Sequence, residues 1–410
     1  MSRKFGGKHS HGTTRGGCLL FCILMTAVAL LVWFCFMLEA IAVRNTRSST
    51  ANDIGASTAA SGLRGPNVAS SIVIQSPKSK YAYVTLLSGI DESFRYRGFL
   101  YNVLIMRRAL LQKGSTADFI VLVGYSSNNT TPFTSDMNLL RNAGIIIYPL
   151  PRFIDDSHKL GFAEMALLKI TPYSFVQYSR VQFFDGDVMP IENMDCYFDL
   201  EPNSFTIGAV SPLNSGWYLA IPSQTAYDYM KTKAIWRLGR DWDKVNGWKE
   251  PMPKGLFYRG GEEECTEWKF NGADMDQGLF LHYFVINHGN ALLIDTTTTK
   301  TRLFKQGVLQ QKDIALPASE SLSCCHGKVP TAAFAHFTGQ SKPWMLDADA
   351  IANARKGSFL DVWKHHLDSL NLPNINSTNI ASLGYGSPLG FWNAGFPKGG
   401  FAAKKIAGKS

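Results

Sequence analysis

Strands and helices are predicted to alternate through residues 81–184, and this alternation constrains the fold more than any other feature of the sequence. Apolar, β-prone runs fall at Tyr81–Leu87, Phe119–Val123, Ile145–Tyr148 and Val181–Phe184, and helical stretches separate them at Phe99–Lys113, Ser135–Ala143 and Phe162–Ile170. Such alternation is typical of a mostly parallel sheet with helices on both faces. Ser135 is also a predicted N-cap for the second helix. The sequence therefore predicts an α/β fold with a mostly parallel central sheet flanked by helices.

The last of these strands runs directly into Asp185-Gly186-Asp187. Two carboxylates so close together raise each other's pKa and oppose folding, and a divalent cation removes that penalty. Gly186 leaves the backbone free to bring a phosphate close. In open sheets of this kind, ligands bind beyond the carboxyl ends of the strands, where Ser88 would also lie. The turn is therefore a candidate metal and phosphate site, although a solvated acidic turn gives the same short pattern.

Two downstream segments offer neutral polar and acidic groups. Leu213–Trp217 reads LNSGW and would form either an ordinary turn or a turn into a strand that presents small polar groups to a ligand. Asn271–Gly278 reads NGADMDQG and ends just before the apolar run Leu279–Ile286. Its acidic residues would either complement a helix dipole or, with Gln277, hold the hydroxyls of a sugar.

A third segment, Ala335–Trp344, reads AHFTGQSKPW and sets His336, Gly339 and Lys342 in one loop. A lone histidine is usually a hydrogen-bonded structural residue, because polar partners are plentiful. Yet an imidazole with two carboxylates and phosphate oxygens is a reasonable ligand set for manganese. No Cys/His cluster suggests structural zinc. The sequence also has neither a GxGxxG nor a Walker A loop, which argues against a Rossmann dehydrogenase and a P-loop ATPase.

The N-terminus is predicted to cross a membrane once. Cys18–Leu38 contains 21 residues without a charge, enough for a helix across a hydrocarbon core of ~30 Å. Four basic residues precede this run, so the positive-inside rule places the N-terminus in the cytoplasm. A signal peptide cleaved after Ala40-Ile41-Ala42 is the alternative, but its apolar core would exceed the usual ~7–15 residues. We therefore expect an uncleaved, type II membrane anchor.

The predicted domain organisation follows from this anchor. Residues 44–79 are rich in Ser, Thr, Ala, Asn and Gly and bury too little apolar surface to fold, so they are expected to form a flexible stem. The six predicted segments are a cytoplasmic tail at 1–17, a transmembrane signal-anchor at 18–43, the stem at 44–79, a catalytic domain at 80–345, a C-terminal helical extension at 346–379 and a disordered basic tail at 380–410. This is the layout of a Golgi or ER membrane enzyme with a lumenal catalytic domain.

Two further features are compatible with a lumenal domain. Potential glycosylation sequons begin at Asn128, Asn129 and Asn376. Four cysteines outside the predicted span could form disulfides in an oxidising compartment, in pairings that the sequence leaves open: Cys196, Cys265, Cys324 and Cys325.

The charge distribution argues against a nucleic-acid partner. The formal net charge is +9, but residues 1–15 and 398–410 each carry four basic residues and no acid. The remainder of the chain is nearly neutral and lacks the basic footprint that nucleic-acid binding requires.

Five pieces of the sequence occur in the order and approximate spacing of glycosyltransferase family 8, the family of glycogenin and galactinol synthase. They are Lys169, Asp185-Gly186-Asp187 sixteen residues later, Leu213–Gly216, Asp276-Gln277-Gly278, and the run His336-Phe337-x-Gly339-x-x-Lys342-Pro343-Trp344. Residues 80–345 therefore resemble this family. The resemblance implies a nucleotide-diphospho-sugar transferase fold of the type called GT-A, Mn²⁺, a UDP-sugar donor and retention of anomeric configuration.

The resemblance also implies roles for individual residues. The implied metal ligands are Asp185, Asp187 and His336. The implied donor-binding residues are Leu86, Ser88, Lys169, Asp185, Gly186, Asn214, Ser215, Gly216, Asp276, Gln277, Gly339 and Lys342, with Leu86 and Ser88 at the uridine. The implied catalytic residues are Asp276, Gln277 and Lys342. Lys342, with the metal, would stabilise the negative charge on the leaving UDP, and the other two would lie near the sugar.

Several alternatives stay open at this point. Ala273 stands where glycogenin has an aspartate, so the chain could be an inactive, membrane-anchored protein of the same fold that binds sugar nucleotides or glycans. A self-glucosylating primer is a third alternative, against which the predicted anchor argues. The aromatic-rich insertion Trp236–Trp268 could be an acceptor surface or a packed loop. The donor sugar, the acceptor (glycan, lipid or protein) and the choice between a covalent nucleophile and front-face attack are also open.

Overall fold

The computed structural model of the protein describes residues 77–125, 133–150, 153, 161–200, 203–208, 211–239, 242–252, 267–288, 290–294, 300–305, 308–315, 333–339 and 341–385. All of them belong to the unit Ile72–Ser410. The predicted cytoplasmic tail, signal-anchor, most of the stem and most of the basic tail lie outside the described residues. Within the described ranges, no helix is both long enough and apolar enough to span a membrane.

Eleven strands are described. They are β1 (Tyr81–Ile90), β2 (Asp118–Tyr125), β3 (Ile146–Pro149), β4 (Arg180–Phe184), β5 (Val188–Pro190), β6 (Asn203–Thr206), β7 (Asn214–Ala220), β8 (Asn290–Ile294), β9 (Lys300–Lys305), β10 (Val308–Ala315) and β11 (Phe334–His336). The larger sheet has the order β10-β9-β8-β6-β7-β4-β1-β2-β3, and β11 pairs with β5 in a separate two-stranded ribbon.

Seven α-helices are described alongside these strands. They are α1 (Arg97–Gln112), α2 (Thr134–Asn142), α3 (Phe162–Leu167), α4 (Gln224–Leu238), α5 (Asp276–Phe280), α6 (Ala348–Ala352) and α7 (Phe359–Asp368). Short 3-10 helices occupy Leu168–Ser174, Asp195–Asp199, Pro343–Met345 and Ile380–Leu383. A π-helix, Leu281–Asn287, continues directly from α5.

The strands of the predicted alternation form the parallel half of the sheet. β1 lies between β2 and β4 and is parallel to both, and β3 extends the parallel set beyond β2. This confirms the predicted α/β arrangement of residues 81–184. Beyond β4 the sheet becomes mixed, because β7 is antiparallel to both β4 and β6. The connection between β6 and β7 is too short for a crossover, so these two strands can pair only in the antiparallel sense.

Helices cover both faces of the sheet and enclose two apolar clusters. Side chains alternate along β1, so Ala82 and Val84 belong to one cluster and Tyr83 and Leu87 to the other. The cluster on the Val84 side contains residues of α3, α4 and the π-helix. The cluster on the Tyr83 side contains residues of α1, α2, α6 and α7. Burial on both faces accounts for the almost continuous apolar character of β1.

Local boundaries differ from the sequence predictions at three places. Phe133, and not Ser135, is the N-cap residue of α2, and the Ser135 hydroxyl donates to Asp136 instead. The helix predicted over Phe162–Ile170 is α3 followed by a 3-10 helix, because Pro172 lacks the N–H that a continued α-helix would use. The packed chain also continues past residue 379, since Ile380 is fully buried in the Tyr83-side cluster.

Candidate functional site

A cavity of about 330 Å³ lies at the carboxyl ends of β1 and β4. This volume is within the range of small-molecule sites. All fourteen residues predicted for the site line this cavity: Leu86, Ser88, Lys169, Asp185, Gly186, Asp187, Asn214, Ser215, Gly216, Asp276, Gln277, His336, Gly339 and Lys342. The structure therefore brings together segments that are far apart in the sequence, and their individual roles stay predictions.

The Asp185-Gly186-Asp187 turn is held by backbone hydrogen bonds on both sides. The Asp185 amide donates to the carbonyl of Gly216 on β7 at 2.9 Å, and the Val188 amide closes the turn by donating to the Asp185 carbonyl at 3.0 Å. A Cβ atom at Gly186 would lie 3.0 Å from a Phe99 ring carbon and 3.1 Å from the Leu86 carbonyl oxygen. A larger residue would need Phe99 or the Leu86 backbone to shift by a few tenths of an ångström, so the close approach of β1 and α1 favours glycine here.

Asp185, Asp187 and His336 form a compact cluster of possible metal ligands. One ligand atom from each side chain lies within 4.8 Å of the others. The ribbon of β5 and β11 creates this arrangement, because it sets His336 opposite Val188, one residue after Asp187. His336 Nε2 lies 3.2 Å from Asp187 Oδ1. Two carboxylates with one imidazole suit a divalent cation that accepts oxygen and nitrogen ligands, such as Mn²⁺.

Lys342 is buried beside this cluster. Its ammonium group donates to Asp187 Oδ2 at 2.7 Å, to the Phe337 carbonyl at 3.1 Å and to the Gly339 carbonyl at 3.2 Å. Gly339 has a φ of +64°, in the left-handed region that favours glycine, and this allows the loop to fold back over the ammonium group. Lys342 thus presents a fixed positive charge at the edge of the possible metal site.

Lys169 bridges the two acidic parts of the cavity. Its Nζ lies 2.7 Å from Asp185 Oδ1 and 3.1 Å from Asp276 Oδ2. Asp276 is the first residue of α5, and the Ser215 hydroxyl on β7 also donates to it, at 2.5 Å. A single lysine therefore lies between two carboxylates that would otherwise repel each other, and its one positive charge offsets one of their two negative charges.

The environments of the two turn carboxylates shift their pKa values in opposite directions. Burial raises the pKa of Asp187, but His336 and Lys342 outweigh it and hold that pKa well below its usual range. Burial also raises the pKa of Asp185, and Lys169 compensates only in part, so that pKa stays above its usual value. Burial lowers the pKa of His336, yet the two aspartates raise it overall. A cation at this site would therefore compete with a proton for His336.

Gln277 contributes an unpaired acceptor to the cavity. Its Oε1 is buried and has no hydrogen-bond partner in the described part of the protein. Its side chain lies against Gly272, where a Cβ atom would come within 2.9 Å of Gln277 Nε2. Gly272 also has a φ of +76°, so the turn that precedes α5 depends on glycine for both space and conformation.

Eight residues of the cavity wall were not predicted from the sequence: Phe99, Phe162, Met165, Ala166, Asn271, Gly272, Met275 and Thr338. Asn271, Gly272, Met275 and Thr338 lie inside motifs that the sequence analysis singled out, so their proximity to the named residues was a usable signal. The others lie on α1 and α3, where they read as ordinary core residues.

Two tryptophans of the aromatic insertion Trp236–Trp268 are packed inside the protein, and one of them contacts the segment that precedes α5. Trp248 and Trp268 are almost completely buried, and Trp248 Nε1 donates to the Ala273 carbonyl at 2.9 Å. Of the two interpretations of this insertion, packing is the one that these two tryptophans fit. Tyr258 lies outside the described residues.

Comparison with known proteins finds glycosyltransferases, at low identity. No protein-family model matches the sequence. Inositol phosphorylceramide glucuronosyltransferase 1 of Arabidopsis thaliana is 26% identical over 160 residues, which are 38% of this chain and 27% of that protein. UDP-glucuronate:xylan alpha-glucuronosyltransferase 3 of the same plant is 23% identical over 222 residues, which are 51% of this chain and 34% of that protein. The chain thus spans about a third or less of the length of these curated relatives.

Solved glycosyltransferase structures are also similar to the chain. Galactosyltransferase LgtC, in complex with donor and acceptor sugar analogues, covers 72% of this chain and 98% of its own, at 11% identity and a TM-score of 0.38. The glycosyltransferase GlyE of Streptococcus pneumoniae covers 74% of this chain and 63% of its own, at 13% identity and a TM-score of 0.36. At these scores the likeness carries no argument about activity.

Proposed function

We propose that this protein is a retaining, UDP-sugar-dependent glycosyltransferase of the GT-A type, which uses Mn²⁺ held by Asp185, Asp187 and His336. One observation carries this proposal. The ligand atoms of these three side chains lie within 4.8 Å of one another, on the wall of a cavity at the carboxyl ends of parallel strands. Ligands bind at this edge in open α/β sheets. The glycosyltransferase names of both curated relatives support the proposal.

The diphosphate of the donor is assigned to the Lys342 side of the cavity. Bound at the acidic cluster, Mn²⁺ would supply positive charge opposite the negative charge that develops on UDP when the anomeric C–O bond breaks. Lys342 supplies a second positive charge, which the Phe337 and Gly339 carbonyls already hold in place. Charge that is fixed in advance needs no reorganisation during the reaction. We expect the uridine to lie near Leu86 and Ser88, at the end of β1.

The donor sugar is assigned to the wall formed by Asp276 and Gln277. A buried acceptor without a partner costs about 1–3 kcal/mol, and a sugar hydroxyl would satisfy Gln277 Oε1. Asp276 already accepts hydrogen bonds from Ser215 and Lys169, so it is suited to orient a hydroxyl. We assign a covalent bond with the sugar to neither residue.

The names of the relatives indicate which substrates to test first. One name combines inositol phosphorylceramide with glucuronosyl transfer, and the other names UDP-glucuronate and xylan. UDP-glucuronate is therefore the first donor to test, with UDP-glucose and UDP-galactose beside it. An inositol-containing sphingolipid and a xylan oligosaccharide represent the lipid and glycan classes of acceptor.

We also propose that the enzyme is a single-pass type II protein of the Golgi or ER membrane with a lumenal catalytic domain. The uncharged run Cys18–Leu38 and the four basic residues before it support this topology. Cys196 is disulfide-bonded, which fits an oxidising compartment. In sealed microsomes, an N-terminal tag should be digested by protease while the domain at 80–345 is protected. The opposite pattern would refute the proposed orientation.

A binding protein without activity is the second candidate, and one observation favours it. Asp185 and Asp187 already pair with Lys169, Lys342 and His336, so the acidic turn is electrically compensated without a metal. Such a site could hold a sugar nucleotide without transferring its sugar.

Release of UDP distinguishes the two candidates. The purified 410-residue chain would be incubated with each UDP-sugar and acceptor, with Mn²⁺ or with EDTA, and UDP would be quantified. The transferase proposal predicts release from one donor that EDTA abolishes. Binding of UDP with no release from any donor would favour the binding protein. Failure to bind UDP under either condition would refute both candidates.

A further inference from the structure

We propose that the C-terminal helix α7 positions the Asp185–Asp187 turn through a buried chain of hydrogen bonds that runs from Trp363 through Asn102. Trp363 and Asn102 would then be positioning residues for the metal site, although neither lines the cavity. The identity of the metal in this inference rests on the proposed function, whereas the hydrogen-bond chain itself does not.

The chain begins on α1, which packs between the turn and α7. Asn102 lies in the middle of α1 and is fully buried. Its side-chain Nδ2 donates to the Gly186 carbonyl at 2.8 Å and to the Val188 carbonyl at 2.9 Å. These two carbonyls flank Asp187 on either side. The Asn102 amide therefore holds the Gly186–Asp187 peptide group, which precedes the Asp187 Cα, and the Val188–Met189 peptide group one residue beyond it.

Trp363 fixes the orientation of that amide. Its indole Nε1 donates to Asn102 Oδ1 at 3.0 Å, and the Trp363 side chain is itself fully buried. An asparagine amide has two N–H donors and one carbonyl acceptor, and all three are used here. If the amide rotated by half a turn, its oxygen would face two carbonyls and its nitrogen would face an N–H donor. The indole thus favours the single orientation that supports the turn.

The opposite side of the turn is fixed by other groups. The Asp187 carbonyl accepts from the Phe337 amide at 2.9 Å, and its carboxylate meets His336 and Lys342. Asn102 provides the restraint from the α1 side. Partners that orient metal ligands typically change metal affinity by roughly 10–100-fold when they are removed. Residues 359–368 therefore belong to the machinery of the site and are more than a packed appendage.

A matched pair of tryptophan variants tests this inference. Trp363→Phe removes the indole donor and leaves an aromatic ring in the core. Trp344→Phe is the control, because Trp344 is equally buried in the same apolar cluster, with its ring centroid 6.3 Å from that of Trp363. Trp344 Nε1 has no hydrogen-bond partner in the described part of the protein, so this change removes similar volume and no hydrogen bond.

Hydrogen–deuterium exchange of the metal-free, full-length chain is the first measurement. The Val188 amide is bonded inside the turn, so peptides that contain residues 185–191 report its opening. We expect exchange in these peptides to rise about tenfold in Trp363→Phe and to stay within about twofold of wild type in Trp344→Phe. Equal exchange in the two variants, whether raised or unchanged, would overturn the inference.

Binding of Mn²⁺ in the presence of UDP is the second measurement. We expect the dissociation constant for Mn²⁺ to rise about tenfold in Trp363→Phe. In Trp344→Phe it should stay within about twofold of the wild-type value. Asn102→Leu should weaken binding at least as much, and adding Trp363→Phe to it should have little further effect, because the chain is already broken. Independent, additive losses would overturn the inference. A wild-type chain that binds no Mn²⁺ would refute the proposed function, and the exchange measurement would still decide on the hydrogen-bond chain.

Discussion

Substitution of Gly216 by alanine should remove His336 from the proposed metal site while leaving the fold intact. Gly216 lies on β7, and its backbone carbonyl accepts from the Asp185 amide. A Cβ atom at this position would lie 2.4 Å from His336 Cε1, 2.9 Å from His336 Nδ1 and 2.9 Å from Asn214 Oδ1. The added methyl group would overlap the imidazole at Cε1 and Nδ1, so the ring must move.

The size of the effect follows from that distance. Non-bonded carbon atoms pack at about 3.5 Å, so the imidazole must retreat by about 1 Å. Metal–ligand distances tolerate only about 0.2 Å, so a displacement of that size withdraws His336 Nε2 as a ligand. We expect Mn²⁺ to bind roughly 10–100-fold more weakly, which corresponds to about 1.4–2.7 kcal/mol. The backbone of β7 is not strained by this change, because Gly216 is not among the residues with positive φ.

The assay is the Mn²⁺ dependence of UDP release, with thermal unfolding as a check on the fold. Gly239→Ala is the matched control, because Gly239 ends α4 at a φ of −91° and a Cβ atom there would meet only the Ile235 carbonyl, at 3.7 Å. The control should match wild type in both measurements. If Gly216→Ala needs no more Mn²⁺ than wild type and unfolds at the same temperature, the placement of His336 against β7 is wrong.

Three further expectations test separate parts of the molecule. Asp187→Asn should abolish Mn²⁺-dependent UDP release without lowering the unfolding temperature by more than a few degrees. Asp228→Asn, on the exposed side of α4, is the control and should leave UDP release unchanged. His282 is fully buried, and burial together with Lys233 and His288 lowers its pKa to about 3. The pKa of histidine in the unfolded chain is about 6.5, so below that pH unfolding takes up a proton at His282. Between pH 7 and pH 5, wild type should therefore lose roughly 2 kcal/mol of unfolding free energy, measured by urea titration. This loss of unfolding free energy between pH 7 and pH 5 should be absent in His282→Gln. Identical pH profiles of unfolding free energy in the variant and wild type would contradict the lowered pKa of His282. Asn376 and Thr378 are exposed, so Asn376 should carry an N-glycan if the domain is lumenal. Glycosidase treatment should then increase the gel mobility of wild type, and Asn376→Gln should lose the contribution of one glycan. No change in the mobility of wild type would count against a lumenal location.

The parallel half of the fold could be predicted because its signals are local. Each of the first four strands is a short apolar run that ends at a turn residue, and each intervening helix has its own periodic pattern. β5 and β11 offered no such signal. Each has three residues, and the pairing of His336 with Val188 joins segments on opposite sides of some 140 residues of chain. Ligand chemistry and the resemblance to a family suggested His336 as a partner of the two aspartates, and the structure shows these three side chains close together.

Asn102 shows most clearly where a sequence-based interpretation fails. It lies among apolar neighbours in Phe99–Met106, where one polar residue reads as a helix position that happens to face solvent. Its burial became visible only once the turn carbonyls and the Trp363 indole were seen around it. Trp363 lies at helical spacing from Phe359, His366 and Leu370, a pattern that indicates a packing residue in a helix of the C-terminal extension. Hydrogen bonds between distant segments leave no periodicity, so neither residue could have been identified from spacing.

The long-range contacts of the site also bear on how the chain matures during synthesis. Lys342 reaches Asp187 across 155 residues, and Trp363 reaches Asn102 across 261. Contacts between such distant residues carry a loop-closure entropy that local contacts avoid, so they form late. A chain that ended before residue 333 would have much of its sheet and would keep the Lys169–Asp185 pair, but Asp187 would lack both His336 and Lys342. Such a chain would have a largely formed sheet and an incomplete candidate site, and only the segment after residue 333 would complete that site.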